Sequence, residues 1–324
     1  MTTSADLGPI YTSGKSYRAR AEARQREYRA SLGVPHGTYG HVLAPEAAKA
    51  GRNFVLPEAF ATARTRQDDG KGVAARTFEN MLSSQAMAFN LFAPLGSRLG
   101  LAGQVLAPFV PGLATVSSIK IEHTPAGDIF NDQTGRGGVD CDIFVEGTNT
   151  HGDALVLVIE TKFVEPEFSV CGFRKAGREK HDRDTCPDDV PVRTDRSACL
   201  YTKNKRYAYW QRSDEHGLLA TGALADTGCP FADGKWQLWV NLALAHEEAR
   251  RRGAKDVRFA VCASPNNSAL LEGGVVLDGF RSLLRRPEAV HFIDLDALLA
   301  QVEAVAPADL GPWANALSTR YRGI

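Results

Sequence analysis

Between Gly138 and Phe163 the chain places ionisable groups at the ends of two apolar runs. Asp142 leads Ile143, Phe144 and Val145, and the run Ala154 to Ile159 ends in Glu160-Thr161-Lys162. If both runs are strands, Glu160 and Lys162 share a face, because strand side chains alternate with period two. The link from Gly147 to Asp153 is rich in turn residues, which predicts a β-hairpin that returns Glu160 close to Asp142. Two carboxylates and an ammonium then meet at one edge of a sheet. Adjacent carboxylates repel, and one is pushed toward its neutral form unless a cation intervenes. Mg²⁺ (or Mn²⁺) takes oxygen from one or two carboxylates and keeps waters elsewhere. Such an ion acidifies a water and neutralises charge building on a phosphoryl group. Lys162 could orient or deprotonate the water, or stabilise an oxyanion. This set suits hydrolysis of a phosphodiester. A bare Glu-x-Lys is also a common surface ion pair. The fully apolar run before it and the aspartate heading the partner run favour a site.

The elements that must position these groups can be read on either side. Ala75 to Leu95 repeats apolar residues at Phe78, Leu82, Ala86, Phe89 and Phe92, a helical period that Pro94 is expected to close. Thr115 to His123 alternates as a strand, and Gly135 to Gly138 reads as a turn before the hairpin. Lys235 to Arg252 is a helix stopped by Gly253. Arg258 to Ala263 and His291 to Asp294 are strands, a helix follows from Leu295 to Val305, and a last helix carries Trp313 and Leu317. This order predicts an α/β fold, a central mixed sheet flanked by helices. Residues 1–70 read as an N-terminal extension. Its basic helix, Lys15 to Arg29, is either solvated or an arm along a phosphate backbone, and a Gly/Pro-rich linker follows. Residues 71–324 form the main domain, with an irregular cysteine-containing insertion near 165–202.

At 324 residues the chain can bury a sizeable core, and 44% apolar with 23% charged residues is an ordinary globular balance. A formal net charge of zero excludes coating of nucleic acid by bulk charge and leaves room for a local basic groove. The longest apolar stretch, near Val105 to Val116, is cut by Pro108 and Pro111 and cannot span a membrane. The N-terminus lacks a basic-then-apolar leader, so a reducing cytoplasm is expected, with free thiols or metal ligands ahead of disulfides. Abundant Ala and Arg with sparse Lys fit a GC-rich bacterial genome.

Asp142 with its apolar strand, the hairpin and Glu160-Thr161-Lys162 together resemble the PD-(D/E)xK nuclease superfamily of restriction-endonuclease-like fold. The proline that names the motif is missing, and Asp142 matches better than Asp140 because it directly leads the apolar strand. The resemblance implies that Asp142 and Glu160 hold Mg²⁺ or Mn²⁺ together with the backbone carbonyl of Thr161. Members often add a Glu from the first core helix. Glu79 stands in that place in order, though it could equally be an acid stabilising a helix N-terminus. RecB-like members place a Gln, then a Tyr one turn later, on the helix after the motif strand. Gln237 matches the first, whereas Asn241 stands where the Tyr is expected. Some of those relatives also carry an iron–sulfur cluster on four cysteines. Cys171, Cys186, Cys199 and Cys229 follow the motif here, but without any Cys-x-x-Cys, so an iron–sulfur or zinc site is expected only weakly.

Lys203 to Gln211 interleaves bases with aromatics. Lys203, Lys205 and Arg206 could meet phosphates while Tyr207 or Trp210 stacks on bases, or the two aromatics could pack on the core. No His-x-His or His-Glu-x-x-His pattern and no phosphate-cradling Gly-rich loop occurs, which argues against zinc hydrolases and P-loop enzymes. The sequence is therefore expected to encode a metal-dependent nuclease that attacks phosphodiesters, in DNA by preference, with a metal-activated water. The resemblance makes a role in bacterial defence or DNA processing plausible, and a homodimer would suit cutting two strands. The alternatives are a non-catalytic DNA-binding or assembly module of the same fold, and an interaction protein whose Glu-x-Lys is accidental.

Overall fold

The computed structural model describes residues 6–70, 72–132, 138–174, 186–220, 222 and 224–324. Most of the expected Gly135–Gly138 turn and part of the cysteine-containing insertion lie outside the described residues. The sheet consists of β1 (Leu113–His123), β2 (Cys141–Asn149), β3 (Ala154–Thr161), β4 (Asp256–Ala263) and β5 (Val290–Asp294) in that order. Pairing is antiparallel from β1 to β3 and parallel from β3 to β5. The fold is thus the mixed, helix-flanked α/β sheet expected. β3 is apolar along its whole length because helices cover both faces. Leu155, Leu157 and Ile159 enter one core, and Val156 and Val158 enter the other.

Before the sheet come α1 (Tyr17–Ser31), α2 (Pro45–Lys49), α3 (Pro57–Asp68), α4 (Arg76–Glu79), α5 (Ser84–Gly96) and α6 (Leu99–Leu106). Between β3 and β4 lie α7 (Leu200–Lys205), α8 (Tyr209–Glu215) and α9 (Trp236–Arg252). The rest are α10 (Ser268–Leu271), α11 (Val275–Arg281), α12 (Leu295–Val305) and α13 (Gly311–Tyr321). Residues of α1, α3, α5, α6, α12 and α13 build the first core, and α8, α9 and α11 contribute to the second. No helix among the described residues is long and apolar enough to cross a membrane.

Two expectations change. The periodic stretch from Ala75 is two helices rather than one. Asn80 accepts the Leu82 amide through Oδ1 (2.9 Å), and Ser83 caps α5 by accepting the Ala86 amide (3.3 Å). Short polar side chains that bond nearby amides compete with helix continuation. Pro94 does not close α5, which runs on to Gly96. The basic helix α1 is no free arm, since Tyr17, Ala21, Gln25, Arg26 and Arg29 are buried. Gln25 donates to the Arg320 carbonyl (2.8 Å) and accepts from the Arg320 guanidinium (3.0 Å), which also reaches Asn53 Oδ1 (2.9 Å). Its polar groups are consumed by internal hydrogen bonds, so helix polarity here does not mean solvation.

Candidate active site

The hairpin register pairs Ile143 with Ile159, which leaves Asp142 and Glu160 side by side at the open end. Asp142 Oδ2 accepts both the amide and the hydroxyl of Thr161, each at 2.7 Å. Glu160 continues the parity of Val156 and Val158, so it points to the face covered by α9. There Gln237 Nε2 donates to Glu160 Oε1 and Asn241 Nδ2 to Glu160 Oε2, both at 2.7 Å. Residues four apart lie one above the other on a helix, so one face of α9 holds both carboxylate oxygens. Lys162 Nζ lies 2.9 Å from Glu160 Oε1, and the Lys162 amide bonds the Cys262 carbonyl of β4 (2.9 Å). The set Asp142, Glu160, Lys162 and Gln237 therefore converges, as expected.

Burial lowers the affinity of Lys162 for its proton, but the charges of Glu160, Asp142 and Glu165 outweigh it and hold the ammonium above its usual range. An ammonium so held suits the role of a donor that orients a water, or of a fixed positive charge facing an oxyanion. Burial, then the Glu160 charge, pushes Asp142 up to about 7, while Lys162 and the Thr161 hydrogen bonds pull it back.

A further acid completes the cluster. Glu122, at the end of β1, is pushed up to about 9 by burial and then by the charges of Asp142, Glu160 and Asp140. Its Oε1 is buried without a hydrogen-bond partner. Its φ of 52° lies in the left-handed region, which costs a residue other than glycine roughly 1–3 kcal/mol and recurs at functional sites. Asp140, set aside in favour of Asp142, also faces this wall. A β-carbon added at Gly72 would lie 3.4 Å from Asp140 Oδ2 and 3.7 Å from Glu122 Oε2. Gln85 of α5 lies against the Glu122 carboxylate.

Glu79 does not join them. It is exposed on α4, beyond the helix break, and its carbonyl accepts the Leu43 amide (2.8 Å). The third acid comes from a strand end instead. Its only trace in the sequence is Glu122 closing the alternating run before the hairpin. Asn241 was visible only as a departure from the expected Tyr, and the structure shows that it bonds the same carboxylate as Gln237.

The acids fit a hard divalent cation. Glu122, Asp142 and Glu160 supply oxygen alone, one oxygen is orphaned, and burial and then repulsion raise two of the three carboxyls. Asp142 Oδ2 and Glu160 Oε1 each already meet two donors, which leaves Asp142 Oδ1 and the second lone pair of Glu160 Oε2 for an ion. No group of three His, Cys, Asp or Glu among the described residues is placed to hold a metal ion, so a cation here would rest on the Asp142–Glu160 pair. Mg²⁺ needs no fuller cage, since waters fill most of its positions.

Lys203, Lys205 and Arg206 are exposed on α7 and its C-cap. Trp210 is core, 2% exposed, packed against Phe231 and Trp239, whereas Tyr207 is half-buried. Cys171, Cys186, Cys199 and Cys229 carry free thiols, and Cys171 and Cys229 each feel the charge of neighbouring thiols. The Arg174 amide donates to the Cys171 carbonyl (2.9 Å). The four thiols are a soft-donor set of the type zinc and iron–sulfur clusters use, with no three members at ligating separation among the described residues.

A mixed, helix-flanked sheet whose hairpin ends in paired acids and a buried lysine is the arrangement of the restriction-endonuclease-like fold. The chain belongs to the PD-(D/E)XK nuclease superfamily, whose family model matches residues 12–190. The match takes in Glu122, Asp142, Glu160 and Lys162 and stops short of Gln237 and Asn241. Comparison with curated proteins gave no match, and comparison with solved structures gave none.

Proposed function

We propose that the protein is a Mg²⁺- or Mn²⁺-dependent nuclease that hydrolyses phosphodiester bonds in DNA. The observation that carries this reading is the buried convergence of Asp142 and Glu160 with the charged Lys162, with Glu122 near enough to feel both acids. Packed acids without a matching cation are costly, and a divalent ion relieves that cost. Asp142 and Glu160, with the Thr161 carbonyl, would hold it while Glu122 lies close by, and the ion would supply Lewis-acid polarisation of the phosphate and an acidified water. Lys162 offers a fixed positive charge toward the negative charge that builds on the phosphate. Gln237 and Asn241 keep Glu160 oriented, and Thr161 does the same for Asp142. Lys203, Lys205 and Arg206 offer phosphate contacts on the same side of the sheet as α9.

The test compares wild type with Lys162→Ala on plasmid, linear and single-stranded DNA, with Mg²⁺ or Mn²⁺ and with EDTA. Removing one preorganised charge of this kind costs roughly 10²–10³-fold in rate, so cleavage should need the cation and nearly vanish in the variant. Cleavage that survives EDTA, or that Lys162→Ala leaves intact, would overturn the reading.

A further inference from the structure

Beside the acid cluster lies a cleft of about 300 Å³, and its walls include Gln237 and Asn241, the two residues that hold Glu160. Its opposite side is aromatic. Tyr207 stacks on Tyr201 (centroids 5.2 Å, planes 20° apart), and Tyr201 stacks on Trp236 (5.9 Å, 25°). Tyr209 stands edge-on to all three, at 74° to 90°, and donates its hydroxyl to Asp132 Oδ2 (2.8 Å). The ladder is not ordinary core: Tyr201, Tyr207 and Trp236 are only half-buried, while Tyr209 beneath them is 4% exposed.

Polar groups line the same space. Asp132 and Asp140 are on its lining beside Gln237 and Asn241, so carboxylates and amides edge the rings. Exposed Lys203, Lys205 and Arg206 fall between Tyr201 and Tyr207 in the chain, so cations flank the stack. Flat rings, hydrogen-bonding groups at their edges and cations at the rim match one nucleotide in each part. The volume is at the low end for a small-molecule site and admits a single base, never a paired one.

We propose that this cleft takes one unstacked nucleobase of the substrate, so that the enzyme acts on single-stranded nucleic acid or on a duplex opened at the cleavage position. The inference rests on the nuclease reading for the word substrate, but its binding test does not need cleavage. Base–aromatic stacking tolerates any sequence, because every base has a flat face. Extruding a base from a duplex costs a few kcal/mol, which favours strands already unpaired. Gln237 and Asn241 form a wall shared by cleft and acid cluster, so a base seated there brings its own phosphate toward Glu160.

The experiment measures binding of a single-stranded oligonucleotide carrying 2-aminopurine, and of the same sequence as a duplex, in EDTA. Both DNA and RNA versions are used, since ring faces do not tell the sugars apart. The expected result is tighter binding of the single strand, with 2-aminopurine fluorescence quenched on the rings. Tyr207→Ala should weaken it roughly 5- to 150-fold, the worth of one stacked base, while Tyr207→Phe keeps it. Circular dichroism and melting temperature check that Tyr207→Ala stays folded, and Trp236→Leu provides a second variant. Equal affinity for duplex and single strand, no binding of either, or full affinity in both Tyr207→Ala and Trp236→Leu would overturn the proposal. Base binding without Mg²⁺-dependent cleavage would instead remove the nuclease reading and leave the cleft. Cleavage of closed duplex with Tyr207→Ala unaffected would do the reverse.

Discussion

Glu122 concentrates the conflict at the heart of this site. Its carboxyl is buried, faces two other acids and is pushed up to about 9. A carboxyl raised in the fold is destabilising when ionised, and the cost is present above the usual value of 4.5. Glu122→Gln is therefore expected to raise the metal-free melting temperature at pH 7 by about 2–4 °C and to depress cleavage. The gap to wild type should close as pH falls toward 4.5. Calorimetry across that range checks the sign, and a variant less stable than wild type would show that Glu122 is held by bonds rather than repelled. Such a trade of stability for function is common where like charges are held together.

At the scale of elements, α9 does two jobs with two faces. Trp239, Leu242 and Ala243 pack into the second core, while Gln237 and Asn241 bond Glu160. Partners that orient a metal-holding carboxylate are typically worth 10–100-fold in affinity or activity. Asn241→Ala is expected to lower Mg²⁺ affinity or cleavage by roughly that factor, with the fold intact, as titration and kinetics would show. The cysteines offer a second test. Cys171, Cys186 and Cys199, the N-cap of α7, lie in the insertion and Cys229 follows it, all as free thiols with no three placed to hold a metal among the described residues. Protein purified without oxygen should therefore carry neither zinc nor iron by elemental analysis, and Cys199→Ser should match wild type. Metal present in wild type and lost in Cys199→Ser would establish a four-thiol site instead.

For the whole molecule, acidification tests how far burial extends beyond the site. Burial, then repulsion from His216 and Arg286, holds His246 down at about 4. Burial, then Arg258 and Arg281, does the same to His291. A histidine with a lowered pKa takes up its proton more readily when unfolded, so its stabilising contribution is present above 6.5 and lost as pH falls toward 4. Melting temperature should fall between pH 6.5 and 4.5, and the double variant His246→Gln/His291→Gln should fall less steeply. Identical slopes would mean that other groups carry the acid sensitivity. The N-terminal segment is part of this whole: Gln25 and Arg320, far apart in sequence, bond each other in the core.

The hairpin, the strand order after it and α9 with its Gly253 stop were legible because each is written in local periodicity and turn chemistry. So were Asp142, Glu160 and Lys162, whose spacing alone puts them at one strand end once a hairpin forms. Glu122 was not, because it reaches the site from a neighbouring strand, and Glu79 was misplaced because an Asn–Ser break interrupts an otherwise helical pattern. Asn241 looked like a departure until α9 was docked over Glu160. The polar face of α1 looked solvated because sequence shows which side chains can bond, while only packing shows which carbonyls they meet. What local pattern determined was the pair of strands and their charged ends. What tertiary structure decided was which distant groups those charges face, since burial and repulsion act through space and leave no period in the chain.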